Sequence, residues 1–563
     1  YEQGYVMSEP VNVEIRETGH VQSFEMEDDF TAAEVEKKDG KRQEVLCEDS
    51  EAYMTLYQAL LDSEGKPVTE DGLPAVRREL EVFTFRAANW KDGQRVAATG
   101  RVETDAAGLN PIMKYDYQYE AIPGTFQGRY YYTEDASVRM EYLPVGFYVL
   151  AESDTPDGYA TADPIFIEIP DTGHKTETGK WSVTDEPLRL SVSKNVISGE
   201  KEVDGAELAI YPVGADGTVA EQELLLHIPE ENGKCREEKA RWISGRDGRY
   251  TKEEAEAGTI PHGFEQGDLK PHLVEYIPEG DYILREEMTP YGFLQSADLP
   301  FSIKDSKIIQ KVEMQDEIPL GNLRVIKHDA DQPEQLLKGA EFELVNKTLG
   351  LSCGRIVTGE DGSVLFEKLP IGYLDRDGKF APYTYVCRET KAAPGHMLTS
   401  AAFEFQFEYK DETTKILEMR YDPVNDSNRV LIEKKLADTD EMLEGAVLRL
   451  EKKRTQDNTE KNERQGENAW EITWEWVREW TTGRQPHLEK GLETGEYRLV
   501  EIQAPQGVSV LANPVYFSIT DGMTEVPCLV MRNYTVIVEI AKVSQTPEPV
   551  SYTHLRAHET LMN

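Results

Sequence analysis

The sequence has no long hydrophobic run, few cysteines and a deficit of basic residues. No apolar stretch reaches the roughly eighteen residues of a membrane-spanning helix, so none is predicted. The chain has 61 Lys and Arg residues but 105 Asp and Glu residues. This excess of acidic residues argues against binding to nucleic acid or to an anionic membrane, because both require basic patches. The five cysteines are scattered without a Cys-x-x-Cys pair, which argues against a disulfide framework and against a zinc site.

The sequence motifs of turnover enzymes are also missing. No Gly-x-Ser-x-Gly elbow, P-loop or distinctive pair of catalytic carboxylates stands out. Among the ten histidines no pair has the His-x-His spacing, and only His554 and His558, within residues 550–563, have the His-x₃-His spacing. We therefore expect no turnover enzyme, no cofactor and no metal site. The chain opens in the middle of a pattern at Tyr1, and no signal peptide precedes that pattern.

What the sequence does contain is one pattern that occurs four times. Each copy has a Tyr, a Glu four positions later and a Gly six positions after that Glu. Fixed self-similarity is typical of repeat architectures, and 563 residues allow roughly three to five domains. The four copies are Tyr148-Glu152-Gly158, Tyr282-Glu286-Gly292, Tyr385-Glu389-Gly395 and Tyr497-Glu501-Gly507.

Each copy begins with alternating apolar residues that lead to a lysine. In the second copy Leu190, Val192 and Lys194 alternate, and a strand directs alternate side chains to the same face. The lysine therefore shares the buried face. Further short strands follow, separated by turns such as Pro278-Glu-Gly280. Many short strands without a helical period predict an all-β class, built as tandem β-sandwich domains.

The repeats divide the chain into segments with short linkers. Residues 1–29 are interpreted as the tail of a preceding repeat, and 535–549 as the first strand of a truncated further repeat. Residues 550–563 resemble translated adaptor sequence and are interpreted as a sequencing artefact. The short linkers predict an elongated, stiff rod. The complete repeats are 30–187, which has an insertion at about 72–133, 188–319, 320–427 and 428–534.

Taken together, the motifs resemble a known family. The pattern Gly-Ala-Glu-Phe-x-Leu, Leu-Pro-x-Gly and Tyr-x-Leu-x-Glu-x-x-x-Pro-x-Gly-Tyr is similar to the SpaA or Cna-B type repeats of Gram-positive surface proteins. The clearest copy is the third repeat, with Gly339-Ala340-Glu341-Phe342 and Arg388-Glu389-Thr390. Four copies in one order cover nearly the whole chain. The resemblance implies Ig-like or prealbumin-like β-sandwich domains.

The resemblance also implies chemistry inside each domain. In that family a Lys on the first strand joins an Asp or Asn on the last strand in a spontaneous isopeptide bond, assisted by a Glu. Burial favours the neutral amine, which is the nucleophile, and the protonated Glu, and fixed proximity replaces an external enzyme. The implied sets are Lys37-Glu152-Asp185, Lys194-Glu286-Asp316, Lys327-Glu389-Asp422 and Lys434-Glu501-Asn533.

Two questions about these sets stay open at the sequence level. The acceptor of the third repeat is Asp422, Asn425 or absent, because alignment with the second repeat puts Tyr421 at that position. Asp422 would point to the opposite face unless a bulge intervenes. In every repeat the alternative to a bond is a buried ion pair, or a lysine that reaches the surface.

Two aromatic stripes are candidate ligand-binding surfaces. Tyr115, Tyr117 and Tyr119 alternate in the insertion of the first repeat, and Trp474 and Trp476 alternate in the fourth repeat. Such side chains stack on sugar rings or fill grooves of partner proteins, although strand aromatics more often pack on their own sheet.

The resemblance implies a structural stalk or adhesin segment of a Gram-positive surface protein, extracellular and anchored to the cell wall. The implied partners are host or extracellular-matrix proteins or glycans, and other surface or pilus subunits. One alternative is a carbohydrate- or matrix-protein-binding module centred on the insertion of the first repeat. A second alternative is the non-catalytic stalk of a large secreted enzyme.

Overall fold

The computed structural model is built almost entirely from β-strands, which confirms the all-β prediction. One short 3₁₀ helix, Arg78–Leu80, lies among the described residues, and no helix there is long and apolar enough to cross a membrane. The chain forms two compact units, Tyr1–Glu317 with Leu374–Phe380 and Ile318–Tyr373 with Ala381–Asn563. The structure describes residues 4–6, 10–26, 28–41, 52–87, 90–91, 94–95, 99–104, 111–134, 137–170, 179–197, 199, 201–230, 235–245, 269–457, 470–511, 513–540 and 553–556.

Three strands recur in every repeat and position its polar cluster. The lysine strand carries the repeated Lys or leads directly into it. The Tyr–Glu strand carries the repeated Tyr and Glu. The acceptor strand carries the Asp or Asn or directly precedes it. The lysine strand pairs in parallel with the acceptor strand in one sheet, and the Tyr–Glu strand lies in the other sheet. Lysine and acceptor therefore come from one layer of the sandwich, and the Glu comes from the opposite layer.

The first repeat has one sheet of six strands and one of four, with Val35, Met54 and Leu150 in the core between them. The predicted insertion supplies strands to both sheets instead of forming a separate module. The six-stranded sheet has the order Glu120–Ala121, Arg129–Tyr132, Val138–Glu141, Ala32–Asp39, Gly179–Pro187, Tyr159–Ala160; the four-stranded sheet has the order Ile165–Ile169, Gly146–Asp154, Tyr53–Gln58, Glu81–Arg86. Paired ribbons complete it: Thr69–Glu70 with Leu73–Pro74, Trp90–Lys91 with Gln94–Arg95, and Thr99–Thr104 with Pro111–Asp116.

The second repeat has a smaller sandwich of three and four strands around Leu190, Ile210 and Leu284. The five scattered cysteines were not expected to form a disulfide framework, but Cys235 is disulfide-bonded. Cys47 lies outside the described residues. The sheets have the orders His272–Glu275, Arg189–Val196, Gln310–Asp316 and Arg241–Ile243, Glu207–Val213, Gly280–Met288, Leu299–Ile303, with a ribbon of Leu225–Pro229 and Cys235–Lys239.

The third and fourth repeats have the same two layers. The strands of the third are Ser363–Pro370, Leu320–Ile326, Ile416–Tyr421 in one sheet, Leu351–Val357, Glu341–Asn346, Tyr385–Lys391, Ala402–Phe405 in the other, and the pairs His328–Asp329 with Val424–Asn425 and Gly372–Leu374 with Phe380–Pro382. Those of the fourth are His487–Lys490, Arg429–Leu436, Cys528–Asn533 and Trp470–Thr481, Val447–Asp457, Gly495–Gln503, Val515–Ile519, followed by Ile537–Ile540 paired with Thr553–Arg556.

Within each unit, one repeat meets the next through a two-step backbone relay. Leu188 N–H donates to the Gly158 carbonyl at 2.8 Å, and Tyr276 N–H donates to the Leu188 carbonyl at 3.0 Å. Gly158 has φ +85°, and a Cβ there would lie 2.7 Å from the Tyr276 carbonyl oxygen, so the approach requires glycine. Corresponding relays run through Gly4, Thr31 and Tyr142, and through Gly395, Asn428 and Leu492.

Candidate functional sites: four buried lysine clusters

The repeated lysines lie inside their domains, as the strand alternation predicted. Lys37, Lys194, Lys327 and Lys434 are each at most 1% exposed. Each ammonium nitrogen lies within 3.4 Å of the Glu carboxylate of its repeat. A buried lysine without a carboxylate partner would be strongly disfavoured, so the Glu on the opposite sheet accounts for its presence in the core.

In the first repeat the three predicted residues are in direct contact. Lys37 Nζ lies 2.5 Å from Asp185 Oδ1 and 2.7 Å from Glu152 Oε1. The other Glu152 oxygen accepts a hydrogen bond from Ala162 N–H at 2.8 Å. Burial raises the pKa of Asp185 to about 8, against the opposing effect of Lys37. Asp185 is therefore held largely as a neutral carboxylic acid at neutral pH.

The second repeat brings its three predicted residues together as well. Lys194 Nζ contacts Asp316 Oδ1 directly and lies 3.1 Å from Glu286 Oε1. Burial raises the pKa of Asp316 to about 6, and the neighbouring Lys194 works against this rise. Sequence reasoning missed Ser296, whose hydroxyl touches both Lys194 and Asp316.

In the fourth repeat the acceptor is an amide. Asn533 Nδ2 donates to both oxygens of Glu501 at 2.9 Å and to the Ser509 carbonyl at 2.7 Å. Lys434 Nζ lies 3.1 Å from Glu501 Oε1. Burial lowers the pKa of Lys434, which favours the neutral amine.

In the third repeat Asn425, and not Asp422, lies beside the cluster Lys and Glu. The assignment of Asp422 to this cluster is therefore wrong. Asn425 is 2% exposed and donates to Glu389 Oε2 at 3.0 Å, while Lys327 Nζ lies 3.4 Å from Glu389 Oε1. Asp422 instead has a side chain that is 42% exposed and binds Arg420 at 2.8 Å. Burial lowers the pKa of Lys327, as it does for the fourth-repeat lysine.

The physical reason for this correction is a break in the acceptor strand at Pro423. The strand ends at Tyr421 and resumes as Val424–Asn425, which pairs in parallel with His328–Asp329. In every repeat the acceptor then faces the residue two positions after the lysine. The matching pairs are Asp39 with Asp185, Val196 with Asp316, Asp329 with Asn425 and Leu436 with Asn533.

The two aromatic stripes differ in their surroundings. Tyr117 and Tyr119 pack on Tyr131 of their own repeat, with ring centroids 4.5 and 4.8 Å apart. Tyr115 stacks on Tyr117 at 6.2 Å. The insertion tyrosines therefore largely support their own sheet.

The stripe of the fourth repeat is more open. Trp474 lies against Arg498, 4.4 Å from its guanidinium carbon to the ring centroid, and 5.6 Å from the ring of Tyr516. Trp476 and Tyr516 are each 62% exposed. Sequence reasoning missed Tyr516, because only the cross-strand register brings it beside the tryptophans. Among the described residues, no cluster of His, Cys, Asp and Glu side chains is arranged to hold a metal ion.

Comparison with known families identifies two of the repeats. A family model described as SpaA, prealbumin-like fold domain, matches residues 321–422 and 428–531. The third and fourth repeats are thus similar to the SpaA prealbumin-like domain over almost their whole lengths. The same lysine, Tyr–Glu and acceptor strands recur in the first and second repeats, which extends the SpaA-like arrangement along the chain.

Several solved structures are similar to this chain at low sequence identity. The Bacillus anthracis TIE protein is 14% identical, with 86% of this chain and 68% of that chain covered and a TM-score of 0.35. The shaft pilin SpaA from Lactobacillus rhamnosus GG is 20% identical over 38% of this chain and 98% of its own, with a TM-score of 0.17. The major pilin SpaD from Corynebacterium diphtheriae is 14% identical over 70% and 97%, with a TM-score of 0.24. A search of curated proteins finds no match.

Proposed function

We propose that this chain is a stalk segment of a Gram-positive surface protein, with each repeat closed by an intramolecular isopeptide bond. The observation that carries the proposal is the set of four buried clusters, each with a Lys, a Glu and an Asp or Asn. The bonds would join Lys37 to Asp185, Lys194 to Asp316, Lys327 to Asn425 and Lys434 to Asn533.

The fourth cluster has the contacts that an amide exchange needs. The neutral amine of Lys434 attacks Cγ of Asn533, and the Cγ–Nδ2 bond breaks. The Glu501 carboxylate takes a proton from Nζ, 3.1 Å away, and passes it to Nδ2, 2.9 Å away, so that ammonia leaves. Glu501 ends in its starting state and acts as a proton shuttle within the buried site.

Unsatisfied polar atoms support the same reaction. Within the described part of the protein, Asn533 Oδ1 and Asn425 Oδ1 have no hydrogen-bond partner, and Lys434 Nζ and Lys327 Nζ contact their Glu carboxylates at 3.1 and 3.4 Å without a well-aligned hydrogen bond. A buried polar atom without a partner typically costs about 1–3 kcal/mol. Bond formation would replace the amine and the side-chain amide with one secondary amide, which has fewer polar hydrogens to satisfy, and would reduce this cost.

The strand pairing explains why such a bond suits a stalk. Ala32–Asp39 and Gly179–Pro187 run parallel, so tension along the chain would shear one strand past the other. A bond from Lys37 to Asp185 would carry that tension directly between the first and last strands. The bonded residues are 148 positions apart, and the chain between them would remain folded while the repeat bears load.

The surface location and the partners belong to the same proposal. The names of similar solved structures include a shaft pilin and a major pilin, and a stalk would act outside the cell, anchored to the cell wall. Its partners would be pilus or surface subunits and host or matrix proteins or glycans. For a ligand-binding role, the exposed Trp476 and Tyr516 favour the fourth repeat over the insertion of the first.

Mass spectrometry of the reduced, denatured full chain tests the bonds. The expected mass is lower than the sequence mass by two waters from the Asp sites and two ammonias from the Asn sites. Peptide mapping should recover four cross-linked peptide pairs. Lys194→Ala should restore one water, whereas Lys201→Ala, at a lysine outside the clusters, should not. A folded chain with the unmodified sequence mass would contradict the proposal.

A further inference from the structure

Ser296 places a hydroxyl against both groups that would react in the second repeat, which also contact each other directly. Its Oγ accepts a hydrogen bond from Lys194 Nζ at 2.9 Å. Its single proton is shared between two acceptors, Asp316 Oδ1 at 2.7 Å and the Gln315 carbonyl at 2.8 Å. A hydroxyl can accept and donate at once, so a continuous hydrogen-bonded path joins amine and carboxyl.

The other repeats lack this path at the matching position. Ten residues after the cluster Glu, a backbone N–H donates to that carboxylate in every repeat, at 2.6–3.2 Å. This backbone contact is independent of side-chain type. The residues at the position are Ala162, Ser296, Thr399 and Leu511, and within the described residues only the Ser296 hydroxyl hydrogen-bonds to its cluster lysine.

We propose that Ser296 is a proton-relay residue that accelerates formation of the Lys194–Asp316 bond, a role that rests on the bond chemistry proposed above. The Lys194 ammonium starts with three protons, and the amide product keeps one. Ser296 gives its own proton to Asp316 Oδ1 and regains one from Nζ. Nζ then attacks Cγ, the Cγ–Oδ1 bond breaks, and a second relay completes the water that leaves. Oδ2 becomes the amide oxygen, and Ser296 ends unchanged.

The two Asp-containing repeats differ in how much they need such a relay. Burial raises the pKa of Asp185 to about 8 but that of Asp316 only to about 6. Burial therefore favours the carboxylic acid more strongly in the first repeat than in the second. The second repeat gains more from a proton delivered before attack, and of these two repeats only the second has the hydroxyl.

The test follows both bonds in the same full-length molecule. The chain is synthesised by cell-free translation, quenched in acidic denaturant at successive times, reduced and digested. The cross-linked peptides of Lys194–Asp316 and Lys37–Asp185 are then quantified. We expect Ser296→Ala to slow formation of the Lys194–Asp316 bond by at least about 100-fold, the typical contribution of a positioned proton-transfer group. The rate of Lys37–Asp185 bond formation should stay unchanged and serves as the internal reference.

Ser296→Thr, which keeps the hydroxyl, should restore the rate. A structural hydrogen bond would be restored as well, so the two roles are separated by pH: for a proton relay, the slowing in Ser296→Ala should grow as the pH rises above about 6, where Asp316 loses its own proton, whereas a structural role gives the same slowing at each pH. The backbone contact to Glu286 survives in both variants, and alanine already occupies this position in the first repeat. Equal rates in wild type and Ser296→Ala would overturn the relay and leave the bond standing. A wild-type chain in which Lys194 and Asp316 never join would overturn both.

Discussion

Replacing Lys434 by methionine and Glu501 by glutamine together should reveal the fourth bond through the sign of the effect on stability. Methionine fills nearly the same volume as lysine without a charge or a nucleophile. Because the side chains of Lys434 and Glu501 are at most 1% exposed, methionine alone would leave the buried Glu501 carboxylate without its cation. Glu501→Gln removes that charge and still offers an oxygen to Asn533 Nδ2 and Leu511 N–H, so the double variant loses the bond without leaving a buried charge.

The magnitude follows from the loop that the bond closes. Lys434 and Asn533 are 99 positions apart, and a cross-link closing a loop of about 100 residues reduces denatured-state entropy by about 4.7 kcal/mol in the disulfide analogy. We therefore expect Lys434→Met/Glu501→Gln to lower the unfolding free energy by about 4–5 kcal/mol. If wild type holds only an ion pair, replacing both charged partners by neutral side chains should instead be neutral or stabilise by about 1–4 kcal/mol.

Tryptophan fluorescence during urea unfolding measures this difference, because four of the seven tryptophans lie in Trp470–Thr481 of the fourth repeat. The matched control is Lys435→Met at the next residue, where Lys435 is paired with Glu433 outside the cluster. The control should leave the transition nearly unchanged. An unfolding free energy that is equal to or above that of wild type in Lys434→Met/Glu501→Gln would refute the bond.

Three further predictions follow from the contacts described. Asp316→Asn should retain the second-repeat bond but lose ammonia instead of water, which peptide mass mapping distinguishes; loss of the cross-link would contradict this. Gly158→Ala should destabilise its repeat by about 1–3 kcal/mol more than Gly217→Ala in thermal unfolding, because both glycines have positive φ but only the first Cβ meets backbone; equal effects would refute the close contact. Asn425→Ala should abolish the third-repeat cross-link, while Asp422→Ala should preserve it; the reverse pattern would restore Asp422 as acceptor.

Strand alternation was enough to predict where the lysines point. Each lies in phase with buried apolar residues, such as Leu190 and Val192 beside Lys194, and the period of two in a strand carries that information directly. The Tyr and Glu of each Tyr–Glu strand are also an even number of positions apart. Local periodicity therefore predicted the fold class and the buried face of each lysine, whereas the resemblance to the SpaA or Cna-B repeats implied which Lys and Glu form each cluster.

The remaining members depend on pairing between distant strands. Asn425 reaches the third cluster because the acceptor strand breaks at Pro423 and resumes with Asn425 paired to Asp329. Such a register shift cannot be predicted from the local sequence pattern. Ser296 belongs to a loop rather than to a strand, so alternation says nothing about its direction. Tyr516 joins the tryptophans only through cross-strand pairing.

The contacts between neighbouring repeats contain ion pairs that favour the correct neighbour. In the first unit Lys41 pairs with Glu275, and in the second Lys490 pairs with Asp331 at 2.6 Å. Lys41 and Asp331 each lie four positions after their cluster lysine, and Glu275 and Lys490 share one register position opposite Arg189 and Arg429.

The same joint is thus built twice with its charges exchanged. Lys490, with Ser427, lowers the pKa of Asp331 to about 2, which keeps that carboxylate charged. If the repeats met in another order, Lys41 would face Lys490, and Asp331 would face Glu275. Partly exposed ion pairs contribute little to stability, but opposed like charges discriminate against wrong partners. The exchanged pairs therefore act mainly by disfavouring contact between repeats that are not neighbours, while the buried clusters act on the stability of each repeat.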